Sequence, residues 1–260
     1  MYPKIGYYEM VRPELDSGET VKEQYVGDIH DFRKYALLRL LASGGATPIG
    51  VCWMLTPAGE GTDGNKLGYL SKPDQYRAHD PELFDLLAQV AGEPDKRRLQ
   101  SIEDSGIVPG ASYFNEVLPQ SVDLRAAYMA DCKARFADTG LVFFDPDNGI
   151  EVASVRPGRE KAVNYVFSDE LTTIYDAGKS VLVYQHRPKF MTQEALEERC
   201  WTVLRRVAPD AHIWVFVSAD VSFFLVVHPN SPARLAMAAT QACEHFDPKF
   251  IRSKYLSDAK

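Results

Sequence analysis

The sequence predicts an α/β fold in which a doubly wound, mostly parallel sheet ends in a C-terminal antiparallel hairpin. Apolar segments alternate with amphipathic helical segments over residues 141–207, which is the pattern of parallel β-α-β units. Two further apolar segments, residues 212–217 and 222–228, are joined by too few residues for a parallel crossover, so we expect them to pair antiparallel. The 260 residues contain no repeat or low-complexity tract, which favours a single domain over residues 1–260.

Start and stop signals set the order of the elements. Gly44 and Gly45 follow the first helix, Asp80 caps the second before a proline, and Gly178 follows the fourth. The expected helices are residues 30–43, 82–91, 122–137, 168–177, 192–207 and 231 to about 244. The expected strands are residues 49–55, 112–117, 141–144, 180–184, 212–217 and 222–228. Residues 62–125 are a candidate inserted subdomain or substrate-covering region.

The charge and the cysteines argue against two classes of protein. The formal net charge is −7 and the pI about 5.4, so bulk charge does not favour nucleic-acid binding, and a nucleic-acid partner requires a local basic patch. The four cysteines lack the spacing of a zinc site or of a disulfide framework.

The hydropathy pattern predicts a cytoplasmic protein with no membrane partner. Residues 1–14 contain no apolar core of a signal peptide, and no apolar run approaches the length of a membrane span. Nothing in the sequence indicates an oligomeric state.

Ligands of open α/β sheets bind beyond the carboxyl ends of the strands, so the residues that follow each strand are the candidates. The first strand leads into a turn of small residues, where backbone N–H groups can approach a ligand closely. The candidate cofactor-binding residues are Thr56, Ala58, Gly59 and Gly61. A generic surface turn has the same composition and is the alternative.

The segment D-P-D-N-G-I-E places acidic groups directly after the strand at residues 141–144. Asp145 and Asp147 are candidate catalytic residues for acid/base chemistry, and Asn148 is a candidate substrate contact. With Glu151, the two aspartates are also candidate ligands for Mg²⁺ or Mn²⁺. Every residue of D-P-D-N-G is a turn former, so an ordinary turn is the alternative, but its position after a buried strand favours function.

Two other segments carry polar candidates. After the strand at residues 180–184, His186 is a candidate catalytic proton carrier and Arg187 a candidate substrate contact. The first helix begins with G-D-I-H-D-F-R-K-Y, in which Lys34 is a candidate catalytic residue. The substrate candidates there are Asp28, Asp31 and Tyr35. Lys34 and Tyr35 follow Asp31 at helical i, i+3 and i, i+4 spacing, so a plain salt bridge at a helix start is the alternative.

These segments together resemble the adenine-N6 methyltransferases that modify bacterial 23S ribosomal RNA (the YhiR type). Residues 27–35 resemble the D-x-x-K core of the family's H-A-G-N-x-A-D-V-x-K-H segment, and residues 55–61 are similar to D-T-H-A-G-A-G. Residues 145–148 resemble the catalytic turn D-P-P-[YF]-E. The resemblance implies a Rossmann-like, class I methyltransferase-type sheet, S-adenosylmethionine as cofactor, and a nucleic acid or related acceptor.

A second resemblance is to an uncharacterised bacterial family that carries G-D-x-x-D-F-x-K-Y-x-L-L-R, D-P-D-N-G and Y-Q-H together. The same motifs occur here at residues 27–39, 145–149 and 184–186. This second resemblance implies no particular activity.

The chain departs from the methyltransferase motifs at two places. Leu55 stands where the family has an acid, and Asp147 with Asn148 replaces the proline and aromatic residue that stack on a flipped base. The extra negative charge suits Mg²⁺ or Mn²⁺. Three hypotheses therefore stand: an S-adenosylmethionine-dependent methyltransferase-like enzyme, a metal-dependent nuclease or phosphohydrolase, and a binding module without catalytic activity.

Overall fold

The computed structural model of the chain describes residues 25–43, 48–57 and 66–256. The helices are α1 (Ile29–Ser43), α2 (Pro73–Tyr76), α3 (Pro81–Gly92), α4 (Leu99–Ser105), α5 (Val122–Arg135), α6 (Ser168–Tyr175), α7 (Gln193–Val207) and α8 (Ala233–His245). The strands are β1 (Ile49–Cys52), β2 (Ser112–Phe114), β3 (Leu141–Phe144), β4 (Gly149–Ile150), β5 (Tyr165–Val166), β6 (Ser180–His186), β7 (His212–Ser218), β8 (Val221–Val227) and β9 (Arg252–Leu256).

Seven strands form one sheet in the order β2-β1-β3-β6-β8-β7-β9. Strands β2, β1, β3 and β6 pair in parallel, and β8 runs antiparallel to both of its neighbours, β6 and β7. Strand β7 therefore points the same way as the first four. The α/β fold with a mostly parallel sheet is confirmed.

Several parts of the fold differ from the expectation. The sequence does not predict the short helices α2 and α4, and β2 ends at Phe114 rather than at residue 117. The last strand, β9, pairs antiparallel with β7 at the sheet edge and was not expected, because its mostly exposed residues show little apolar alternation. Strand β1 ends at Cys52 rather than at residue 55, and Met54 then adopts a left-handed φ of 48°. Strands β4 and β5 form a separate two-stranded sheet beyond the carboxyl end of β3.

Helices cover both faces of the sheet, which explains why the central strands are apolar without alternation. On one face, Phe143 of β3 packs in a cluster with residues of α1, α3 and α8. On the other face, Val142 and Phe144 of the same strand pack with residues of α5, α6 and α7. All four residues of β3 are buried, so polar groups accumulate only beyond its end.

Helix α1 and strand β1 bring the N-terminal motif to the carboxyl edge of the sheet. Helix α1 contains nine buried residues and packs against α3 and α8. Its first turn lies at the edge where β1, β3 and β6 end, because Lys34 reaches Asp145, the residue that follows β3. In the residues that the structure describes, no helix has the length and apolarity needed to cross a membrane.

Candidate active site

A cavity of about 530 Å³ opens at the carboxyl ends of β1, β3 and β6. Its volume is within the range of small-molecule sites. Carboxylates dominate its charged lining, with Asp28, Asp31, Asp145 and Asp147 against Lys34 and Lys66. Its position agrees with the rule that open α/β sheets bind ligands beyond their strand ends.

The centre of the site is the ammonium group of Lys34. Its Nζ donates to Asp145 Oδ2 at 2.6 Å and to Asp31 Oδ1 at 2.8 Å. The three side chains are 9%, 14% and 6% exposed, respectively. Two buried carboxylates therefore share one buried cation, and the group carries a net negative charge.

Three aromatic rings surround the same ammonium group. The Nζ atom of Lys34 lies 5.6 Å from the ring centroid of Tyr35, 5.7 Å from that of Trp53 and 5.8 Å from that of Tyr184. These distances are within the range of cation–π attraction. The rings also limit the access of water to the ion pairs, which strengthens them.

The motif G-D-x-x-D builds the start of α1. Oδ1 of Asp28 accepts hydrogen bonds from the backbone N–H groups of His30 and Asp31, at 2.8 and 3.0 Å, which is an N-cap. Oδ2 of Asp31 accepts from the N–H of Gly27 at 3.0 Å. Gly27 has a φ of 82°, a conformation that glycine adopts at little cost. The cap therefore orients Asp31 toward Lys34.

Burial and neighbouring charges set the pKa values of the central ion pair. Burial alone would lower the pKa of Lys34, but the carboxylates of Asp145 and Asp31 outweigh it and hold that pKa well above its usual range. Burial raises the pKa of Asp145 to about 6 against the opposing effect of Lys34. Lys34 is therefore charged at neutral pH, and Asp145 can exchange a proton in the range where acid/base catalysts operate.

A buried amide holds the D-P-D-N-G turn in place. Nε2 of Gln185 donates to the carbonyl of Asn148 at 2.7 Å, and its Oε1 accepts from the N–H of Ile150 at 2.9 Å. A Cβ on Gly149 would lie 2.4 Å from the Gln185 amide, and Gly149 has a φ of 108°. Glycine at position 149 is therefore required by a close approach as well as by the backbone conformation of the turn.

Two segments of the predicted site, the one after β1 and the one after β3, are in contact. Oγ1 of Thr56 donates to Asp147 Oδ2 at 3.2 Å, so the segment after β1 contacts the segment after β3. Both residues line the cavity. Ala58, Gly59 and Gly61, predicted to bind the cofactor with Thr56, lie outside the described residues.

A polar cluster closes one side of the cavity. Nζ of Lys66 lies 2.9 Å from His30 Nε2 and donates to Asp220 at 2.8 Å, and His186 Nε2 is 3.9 Å from the same carboxylate. Burial lowers the pKa of His30 to about 4, so its ring is neutral at pH 7. Its buried Nδ1 has no hydrogen-bond partner in the part of the chain described, which leaves a polar atom for a ligand in this wall.

The structure brings together most of the predicted site residues. The predicted residues that line the cavity are Asp28, Asp31, Lys34, Thr56, Asp145, Asp147, Asn148 and His186. Tyr35 is fully buried beside them, and its hydroxyl donates to Asp31 Oδ2 at 3.4 Å, so it supports the site from behind. Arg187 lies apart and lines a second pocket.

The predicted metal ligands do not converge. Oε1 of Glu151 accepts hydrogen bonds from the backbone N–H and the hydroxyl of Ser168 at the start of α6, so Glu151 stabilises that helix and does not line the cavity. Within the ranges that the structure describes, no group of three His, Cys, Asp or Glu side chains is placed to hold a metal ion. Spacing along the chain could not show that Glu151 points elsewhere.

Sequence reasoning missed several residues of the site. Trp53 and Tyr184 line the cavity, as do His30 and Lys66, while Gln185 supports it from below. Tyr184 and Gln185 belong to the Y-Q-H motif, of which only the histidine was selected. Trp53 is the first residue after β1, but the sequence predicts a strand that runs to residue 55, so the rule that favours residues after strands does not select it.

The buried cap Asp28 makes stability depend on pH. Burial above all, with the nearby Asp31 carboxylate, raises the pKa of Asp28 from 3.8 to about 6. Because the folded protein holds this proton more tightly than the unfolded chain, stability falls as the pH rises from about 4 to 6. Asp28→Asn keeps the cap without the charge, so at pH 7 it should be more stable than the wild type by on the order of 2 kcal/mol.

Urea denaturation followed by circular dichroism, repeated between pH 4 and pH 7, measures this difference. The advantage of Asp28→Asn should shrink toward pH 4, where the wild-type carboxyl is protonated in the folded state. Asp131→Asn, an exposed site on α5, is the matched control and should follow the wild type. An Asp28→Asn protein that is less stable than the wild type at pH 7 would contradict the assignment.

Comparison with known proteins assigns the chain to no group. No protein-family model matches the chain, and no curated protein sequence matches it either. The geometry of the cavity and the motifs that line it are therefore the basis for a functional assignment.

Proposed function

We propose that this protein is an S-adenosylmethionine-dependent, methyltransferase-like enzyme that acts on a nucleic acid or a related substrate. The observation that carries the proposal is the 2.6 Å ion pair between Lys34 and Asp145. These residues belong to the D-x-x-K segment and to the D-P turn, the two motifs that resemble the adenine-N6 methyltransferases, and they lie 111 positions apart. Two motifs of one catalytic pattern would be expected to meet in this way.

The order of the sheet supports the proposal. Strand β8 lies antiparallel between β6 and β7, and class I methyltransferase sheets also carry an antiparallel strand near the C-terminus. The D-P turn follows β3, a central strand of the sheet, and its acid enters the cavity. Other α/β folds share parts of this order, so the sheet supports the proposal only together with the motifs.

The lining of the cavity fits the proposed cofactor. S-Adenosylmethionine carries a sulfonium and an ammonium cation beside an aromatic base, and when bound it supplies an electrophilic methyl group. Four aspartates against two lysines make the cavity negative, which attracts cations. The described residues that would hold it are Thr56 and Asp147, with the unpartnered Nδ1 of His30 as a further polar contact.

Asp145 and Lys34 would act on the acceptor. Asp145 would accept a hydrogen bond from an N–H of the acceptor, and a pKa of about 6 allows it to take up a proton near neutral pH. Lys34 holds the Asp145 carboxylate in one orientation and favours its ionised form. Lys34 is thus a positioning residue, and Asp145 is the proposed catalytic residue.

The cavity also provides aromatic surfaces that the D-P-D-N turn lacks. Asp147 and Asn148 cannot stack on a base, but Trp53 and Tyr184 line the same cavity. Base–aromatic stacking contributes about 1–3 kcal/mol per base in single-stranded complexes. Trp53 is 3% exposed and its ring stacks on Tyr113, so we assign the stacking role to Tyr184.

Calorimetric titration with S-adenosylmethionine tests the proposal. The wild type should bind with a dissociation constant on the order of 1 μM. Thr56→Val removes the hydrogen bond to Asp147 and should weaken binding roughly tenfold. Thr173→Val, at an exposed threonine of α6, is the matched control and should bind like the wild type.

Asp145→Asn separates binding from transfer. It should bind the cofactor about as well as the wild type, while transfer of tritiated methyl groups to protein-free 23S ribosomal RNA falls at least about 100-fold. A folded wild-type protein that gives no heat with S-adenosylmethionine would contradict the proposal. Binding of Mn²⁺ without binding of the cofactor would favour the metal-dependent nuclease instead.

A further inference from the structure

A second pocket, of about 340 Å³, carries a concentrated positive charge on this acidic protein. We call it the basic pocket. Arg187, Lys249 and Arg252 line it, and none of its lining residues in the described part of the chain is acidic. We propose that the basic pocket binds a backbone phosphate of a single-stranded nucleic acid whose base enters the active-site cavity. This inference deepens the proposed function, on which it rests for the identity of the acceptor.

The basic pocket contains buried polar groups that have no partner. Ser218 is 3% exposed, lines the pocket, and its buried Oγ has no hydrogen-bond partner in the described chain. The buried Nε of Arg187, which also lines the pocket, likewise has no hydrogen-bond partner among the described residues. Such groups are costly to leave unsatisfied, so their presence in one pocket indicates a ligand with hydrogen-bond acceptors.

The rest of the guanidinium group of Arg187 is fixed by the fold. One terminal nitrogen donates to the carbonyl of Met191 at 3.0 Å and the other to the carbonyl of Ala219 at 3.4 Å. Both bonds hold the side chain across the pocket without neutralising its charge. An arginine fixed in this way binds phosphate with less loss of side-chain entropy than a freely rotating one.

The nearby carboxylates of Asp247 and Glu197 form no ion pair with the basic side chains of the pocket in the described chain. Asp247 accepts from the backbone N–H of Lys249 at 2.8 Å, and Glu197 is bound by Gln193 and by Lys254. Lys249 and Arg252 have exposed side chains and form no ion pair with any residue that the structure describes. Their positive charge is therefore available to a ligand.

The basic pocket and the active-site cavity are neighbours along one edge of the sheet. His186 at the end of β6 lines the cavity, and the next residue, Arg187, lines the basic pocket. In the turn between β7 and β8, Ala219 lines the basic pocket, while Asp220 pairs with Lys66 of the cavity wall. A polymer with a base in one site can thus place a phosphate in the other.

A single strand suits this surface better than a duplex. The loop after β6 presents Phe190, which is 97% exposed, three residues beyond Arg187. Exposed aromatic rings beside phosphate-binding cations are typical of surfaces that stack unpaired bases. The overall charge of −7 opposes binding along an extended duplex backbone, so contacts are confined to this local patch.

Fluorescence anisotropy with a short fluorescein-labelled single-stranded RNA tests the inference. The exposed pair Lys249→Ala/Arg252→Ala should weaken binding about tenfold at low salt. It should also reduce the slope of log affinity against log salt by about 1.4, the value for two lost phosphate contacts on a single strand. Inorganic phosphate should compete with the RNA on the wild type and less on the double variant.

The matched control is Lys133→Ala/Arg234→Ala, which removes two exposed positive charges from α5 and α8. It should bind RNA like the wild type. Equal weakening in both double variants would overturn the inference, because net charge alone would explain it, and so would an RNA that the wild type does not bind.

Titration of the same proteins with S-adenosylmethionine distinguishes the two proposals. Lys249→Ala/Arg252→Ala should bind the cofactor normally. If no protein binds the cofactor but RNA binding is lost only in this variant, the proposed function fails and the phosphate site stands. If the cofactor binds and both double variants bind RNA equally, the phosphate site alone fails.

Discussion

Lys34→Met is expected to lower the free energy of unfolding by about 3–5 kcal/mol, because it removes the cation shared by two buried carboxylates. Asp31 and Asp145 would then face each other without a compensating cation, at positions largely shielded from water. The pKa of Lys34 is higher in the folded protein than its usual value of about 10.5. The stability that Lys34 contributes is therefore fully present below about pH 10.5 and is lost only as the pH rises through the raised pKa of the folded state. Urea denaturation at pH 7 therefore measures the whole effect.

A second lysine in the same cavity is the matched control. Lys66 also pairs with an aspartate, Asp220, at 2.8 Å, but its side chain is 53% exposed. Lys66→Met should therefore cost no more than about 1 kcal/mol. The double variant Lys34→Met/Asp145→Asn should recover part of the lost stability, because only one carboxylate remains unpaired. Equal losses of unfolding free energy in Lys34→Met and Lys66→Met would show that the burial of Lys34 adds nothing to the stability of its ion pairs.

Gly149→Ala is expected to destabilise the protein by about 3 kcal/mol or more and to displace the D-P-D-N turn. Its φ of 108° is unfavourable for any residue with a Cβ, and the new carbon would lie 2.4 Å from the Gln185 amide. Gln185 would have to move, which would break its hydrogen bonds to Asn148 and Ile150. Asp145 and Asp147 belong to that turn, so cofactor binding should also be lost.

Gly178→Ala isolates the cost of the backbone conformation. Gly178 has a φ of 81°, but nothing lies within 4 Å of the position that a Cβ would take. This variant should lose only about 1 kcal/mol and should bind the cofactor normally. Urea denaturation and calorimetry on both glycine variants provide the comparison. If Gly149→Ala loses no more stability than Gly178→Ala, the contact with Gln185 does not constrain the turn.

The central strands and several helix ends could be predicted from the sequence, because their causes are local. The run L-V-F-F of β3 is apolar throughout and forms a strand with the expected limits, Leu141–Phe144. Asp80 caps α3 as expected, since its side chain accepts from the N–H of Leu83. The position of the D-P-D-N turn after a buried strand also predicted that Asp145 and Asp147 would lie where the sheet opens, and both line the cavity there.

Side-chain partners across the fold could not be predicted in the same way. That Lys34 pairs with Asp145 depends on how α1 packs against the sheet, and no local pattern encodes this packing. Glu151 illustrates the opposite case, since it is close to Asp145 in sequence yet binds Ser168 of α6. Sequence spacing gives the distance along the chain, whereas the direction of each side chain follows from strand pairing and helix packing.

The sequence by itself determined the α/β class, the central strands and the acidic turn that follows β3, because hydrophobic patterning and turn chemistry act over a few residues. Only the tertiary structure decided that Lys34 joins Asp31 to Asp145, that Trp53 and Tyr184 enclose this group, and that Arg187 belongs to the basic pocket. Those contacts join residues far apart in the chain, and they exist only once the sheet order and the packing of α1 place them together.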